Sequence, residues 1–140
     1  KFSKILDPQH QIHSKLFKKS DEIFYANFPQ YKESHILMAN YASGYLFGTH
    51  HDIHSDYPVQ GQGITVMFYL NKVWDISYGG ETIFVDSNFD ISNSVIPKPG
   101  RAIVFDGTIP HCAREVSRTC IEMRMVVTFK YELASLYETK

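Results

Sequence analysis

The 140-residue chain sets 14 Lys and Arg against 15 Asp and Glu, for a net charge of −1. That length makes one domain (1–140) with enough material for a hydrophobic core, and the near-neutral balance excludes the basic field that captures a nucleic-acid backbone. No apolar run approaches the length of a bilayer span, and no signal-peptide pattern is present. With two cysteines, Cys112 and Cys120, and no Cys-x-x-Cys pair, the expectation is reduced thiols in a cytoplasmic protein.

Residues 9–27 are predicted helical, because Ile12, Leu16, Phe17, Ile23 and Phe24 recur at helical spacing. From Ser34 the period shifts toward two. Eight short strands follow in order: "HILMANY", "YLFGTHHD", "GITVMFYL", "ETIFVD", "NSVIP", "RAIVF", "HCAREV" and "IEMRMVVTFKY". Turn residues separate them at Asp56-Tyr57-Pro58, Gly61-Gln62-Gly63, Gly79-Gly80, Pro97-Lys98-Pro99-Gly100 and Asp106-Gly107. Short strands without intervening helices imply a mainly β sandwich or jelly roll whose two sheets enclose a mouth.

In "GITVMFYL", Ile64, Val66, Phe68 and Leu70 share one face, and Thr65, Met67 and Tyr69 the other. In "RMVVTFK", Arg124, Val126, Thr128 and Lys130 lie on one face, with Met125, Val127 and Phe129 opposite. Large apolar residues on both faces predict a central strand covered on both sides. An arginine there needs an anionic partner, from the chain or from a ligand.

"SGYLFGTHHDIHSD" contains His-x-Asp twice, at His50–Asp52 and His54–Asp56. On a strand, His50 and Asp52 project from one face and can reach one ion. Two imidazoles and a carboxylate suit iron(II) and leave positions open for oxygen chemistry. His111, which opens a later strand, is the candidate second histidine. Tyr41, Gly44, Phe47, His50 and Asp52 fit a Y-x-x-G-x-x-[aromatic/aliphatic]-x-x-H-x-D frame. His54 and Asp56 fall outside that frame, in the Asp56-Tyr57-Pro58 turn, where they are expected to meet substrate.

With "FYLNKVWDISYGGETIFV", "PKPGRAIVFDGTIPH" and "RMVVTFKY" following in order, residues 36–131 resemble the iron(II)- and 2-oxoglutarate-dependent dioxygenases, specifically the prolyl-4-hydroxylase-like branch. The resemblance implies a double-stranded β-helix, a jelly roll of eight core strands (36–131) with the N-terminal helix packed against it. It implies His50, Asp52 and His111 as iron ligands. It also implies Arg124, with Thr128, Tyr69 and Tyr41, as the residues that hold 2-oxoglutarate. Iron(II), 2-oxoglutarate and oxygen would be the cofactors and cosubstrates, with ascorbate as reductant and a peptide or protein proline as substrate. Three features depart from the branch: Arg124 follows His111 by thirteen residues, Gln62 stands near a position often held by arginine, and Lys130 replaces a frequent aromatic. Competing readings are an AlkB-like nucleic-acid demethylase, a small-metabolite or amino-acid hydroxylase, and a non-catalytic metal-binding jelly roll. The neutral charge weighs against the first, and the complete set of ligand and cosubstrate residues against the last.

Overall fold

The computed structural model describes residues 2–5, 11–29, 35–45, 52–58 and 62–133, with side chains over 15–29, 52–58 and 62–132. The elements are β1 (Phe2–Ile5), helix α1 (Gln11–Asn27), β2 (His35–Tyr45), β3 (Gly63–Tyr69), a 3-10 turn (Ile76–Tyr78), β4 (Thr82–Val85), β5 (Ile91–Val95), β6 (Ala102–Asp106), β7 (His111–Ala113) and β8 (Arg124–Leu133). β1 was not expected. Its four residues are too few for periodicity to register, and it forms by pairing with Tyr41–Gly44 of β2. The expected strand "YLFGTHHD" falls mostly outside the described residues.

The strands make two antiparallel sheets, ordered β1-β2-β8-β3-β6 and β5-β4-β7. Neighbours distant in sequence pair within each sheet, and this crossing of the chain between sheets is the jelly roll. β8 is central as expected, flanked by β2 and β3, and its two faces meet the helix layer and the small sheet.

The face readings of β3 and β8 hold. Ile64, Val66, Phe68, Val127, Phe129 and Tyr131 form one buried cluster with Phe24, against which Leu16, Phe17, Ile23 and Phe28 pack. The amphipathic helix therefore seals the outer face of the large sheet. Phe24 is wholly buried and stacks on Tyr131 with centroids 4.4 Å apart and planes 9° from parallel. Burial of such a ring stabilises by about 1.5–3 kcal/mol. The other face, carrying Thr65, Tyr69, Arg124 and Thr128, looks toward the small sheet. Among the described residues, no helix is long and apolar enough to cross a membrane. Cys112 and Cys120 are both free and buried.

Candidate metal centre

His54, Asp56 and His111 converge between the sheets, with one donor atom of each lying within 4.8 Å of the others. Backbone pairing brings them there. His54 and His111 form an isolated antiparallel bridge, with His54 N donating to His111 O at 3.0 Å and His111 N donating to His54 O at 2.9 Å. Two residues on, the amides of Asp56 and Tyr57 both donate to Gly107 O, at 2.6 and 3.0 Å. The ring of Tyr57 lies so close to Gly63 and Gly107 that a Cβ at either would collide with it. That contact locks the turn carrying Asp56.

Both imidazoles are oriented to offer Nε2. His111 Nδ1 lies 2.7 Å from Ile109 O, and His54 Nδ1 lies 3.0 Å from Asp52 O. A carbonyl only accepts, so each Nδ1 donates and each Nε2 keeps its lone pair. Those Nε2 atoms face Asp56, His54 at 3.7 Å from Oδ1 and His111 at 3.7 Å from Oδ2. Phe105 and Phe84 pack on the His111 ring at centroid distances of 4.8 and 5.9 Å and screen it from water.

Burial lowers the pKa of His111, which favours the neutral, ligating imidazole. Burial alone would raise that of Asp56. Hydrogen bonds from Lys130 and Thr65, and the nearby charges of Lys130 and His111, outweigh it and leave the carboxyl below its ordinary range. Two imidazoles and a buried, ionised carboxylate are the donor set expected for iron(II), so the residues fit that ion.

A second polar group lies further along the same interior. Arg124, 1% exposed, donates from Nε to Gly80 O at 2.7 Å and from Nη2 to Thr82 Oγ1 at 2.9 Å. The Tyr69 hydroxyl is 2.6 Å from the same Thr82 Oγ1. Burial raises the pKa of Tyr69, although its bond to Thr82 and the charge of Arg124 oppose the shift. Thr82 shares a face of β4 with Phe84, which pairs with His111. The arginine group and the His–Asp–His cluster therefore open onto one interior.

The sequence frame selected His50 and Asp52 and set His54 and Asp56 aside in a turn. The turn is real, but it folds back onto His111 and makes the cluster. His50 lies outside the described residues. Asp52 is exposed and belongs to the arrangement through its carbonyl, which orients His54. The sequence carries a signal for this second pair too, a repeat of the frame four residues later: Tyr45, Gly48, His54 and Asp56 have the spacing of Tyr41, Gly44, His50 and Asp52. Only the aromatic position, Phe47 against His51, favoured the first. Thr82 was missed as well, although it directly follows the Gly-Gly-Glu run. Thr128 is buried opposite Met67 and Tyr41 in the sheet register, and the side chain of Tyr41 lies outside the described residues.

The chain is similar in fold to a Pseudomonas putida prolyl-4-hydroxylase, with TM-score 0.72 and 19% identity over 93% of this chain and 67% of that one. It is similar to a viral collagen prolyl hydroxylase from Paramecium bursaria Chlorella virus-1 in complex with 2-oxoglutarate (TM-score 0.71, 17% identity, 94% of this chain and 77% of that one). It also resembles a Trichoplax adhaerens prolyl hydroxylase solved with a hypoxia inducible factor peptide fragment (TM-score 0.71, 15% identity, 98% of this chain and 64% of that one). No curated protein matches it. The 2OG-Fe(II) oxygenase superfamily model matches residues 36–131, from β2 through most of β8 and including both the cluster and Arg124, and the chain belongs to that superfamily.

Proposed function

We propose that the protein is an iron(II)- and 2-oxoglutarate-dependent dioxygenase that hydroxylates a C–H bond, a prolyl residue of a peptide or protein being the favoured substrate, with release of succinate and carbon dioxide. The observation that carries this reading is the His54–Asp56–His111 cluster, with both Nε2 atoms turned to one carboxylate and a buried arginine in the same interior. His54, Asp56 and His111 would hold iron(II). Iron with 2-oxoglutarate would supply the oxygen activation that no side chain can.

The chain's own residues bind, orient and exclude. Arg124 would take the distal carboxylate of 2-oxoglutarate in a charge-assisted bond, with Thr82 and Tyr69 as further hydroxyl partners. Thr82 thus enters beside the residues expected from the sequence, Arg124, Thr128, Tyr69 and Tyr41. Phe84 and Phe105 keep water from the His111 side. Outside the cluster, His54 also lines a groove of about 440 Å³ bounded by Ile53, Val85, Phe89 and Pro110. Ser55, Asp86 and Ser87 line it beside those apolar side chains, a mixture that suits a peptide segment. The prolyl-hydroxylase neighbours support the peptide reading.

The test is anaerobic addition of iron(II) and 2-oxoglutarate, which should produce a visible charge-transfer band in wild type and none in His111→Ala. Absence of the band in wild type refutes the reading. Succinate release with ascorbate present, from proline peptides against methylated oligonucleotides and free amino acids, then selects the substrate.

A further inference from the structure

We propose that Lys130 is a positioning residue of the metal centre. It holds one oxygen of Asp56, keeps that carboxylate to one-point ligation, and weakens the site's grip on a divalent cation. The inference rests on His54, Asp56 and His111 being the ligands.

Alternation along β8 puts Lys130 on the inward face with Arg124, Val126 and Thr128, and the register sets it directly opposite Thr65 of β3. From these adjacent strands the two side chains grip both ends of one carboxylate. Lys130 Nζ lies 2.8 Å from Asp56 Oδ1, and Thr65 Oγ1 donates to Oδ2 at 2.6 Å. The Asp56 side chain is only 3% exposed, so these bonds are weakly screened by solvent.

Each oxygen of Asp56 therefore faces one imidazole Nε2 and one donor. A cation seated between the imidazoles can draw one oxygen while the other stays with its donor. Two-point ligation would compete with a donor on each oxygen. One-point ligation keeps positions open for cosubstrate and oxygen. The lysine also places a positive charge beside the cation site, and like charges a few ångströms apart repel. A phenylalanine at this position would do neither.

Cobalt(II) without 2-oxoglutarate or oxygen is the probe, read by competition with a chelator and by its visible absorption. Lys130→Met should bind cobalt about tenfold more tightly than wild type or better, with an altered absorption as the second Asp56 oxygen becomes available. Lys130→Arg, which keeps charge and donor, should restore wild-type affinity and spectrum. Lys130→Gln, uncharged and one atom shorter but with a polar end, decides the charge effect if the methionine variant does not fold, and should also bind more tightly. Equal or weaker cobalt binding in the neutral variants overturns the role of Lys130. If wild type binds cobalt no better than His111→Ala, the ligand reading fails and takes this inference with it. Normal wild-type binding with unchanged neutral variants sinks only the role of Lys130.

Discussion

Arg124 lies over the ring of Tyr69, the guanidinium carbon 5.5 Å from its centroid, and both reach the same Thr82 hydroxyl. Three strands of two different sheets contribute one residue each, so the group is rigid only when both sheets are assembled. Thr82→Val removes the shared oxygen at nearly constant volume. Hydrogen bonds to charged groups contribute about 1.5–3 kcal/mol, so affinity for 2-oxoglutarate should fall about ten- to a hundredfold. Equilibrium titration of the charge-transfer band measures this, and an unchanged affinity would remove Thr82 from the cosubstrate site.

The two His-x-Asp pairs predict opposite results. His54→Ala should lower metal affinity by more than the ~10–100-fold that loss of a partner outside the ligand set costs. His50→Ala should leave it near wild type. Metal titration of both variants separates the pairs, and the reverse pattern would return the ligand role to His50 and Asp52.

Gly80 has φ +70°, in the region that side chains avoid, and a Cβ there would lie 3.2 Å from Arg124 Cδ, Trp74 Cζ2 and Val116 Cγ2. Gly80→Ala should cost at least the ~1–2 kcal/mol of left-handed strain. It should also weaken 2-oxoglutarate binding, because the Gly80 carbonyl holds Arg124 Nε. Urea unfolding and cosubstrate titration on the same variant test the two effects together.

Tyr131 links the helix to β8. Its hydroxyl donates to Asp21 Oδ1 at 2.7 Å and lies 2.7 Å from Ser20 Oγ. Burial, with the Asp21 carboxylate beside it, pushes its pKa far above the ordinary tyrosine value, against the bond from Ser20. A group whose folded pKa is raised contributes stability that is complete below its unfolded pKa, about 10, and is lost as pH climbs above it. Wild type should therefore lose stability above about pH 10 by up to ~1.4 kcal/mol per pH unit from this group. Tyr131→Phe should be less stable at pH 8 yet show a shallower alkaline decline. Urea midpoints at pH 8 and above pH 10 provide the comparison.

The alternation of β3 and β8 and the helical spacing of α1 were legible in the chain because each reports on one strand or helix meeting one apolar layer. His111 at the head of a strand and Arg124 on the inward face of a central one were legible for a related reason: each position is fixed by the segment around it. The choice between His50–Asp52 and His54–Asp56 was not. The same Tyr-x-x-Gly frame fits both, four residues apart, and linear spacing has no term for which pair folds back onto a strand more than fifty residues away.

Sequence by itself determined the class of fold and the central strand carrying Arg124, and it offered two His-x-Asp pairs, since local periodicity and residue type suffice for those. Only the tertiary structure brought His54 and Asp56 to His111, through the backbone bridge and the turn locked by Tyr57. It also revealed Thr82 and Lys130, whose partners lie 42 and 74 positions away in the chain. Contacts across two sheets depend on register and packing, and no local pattern encodes them.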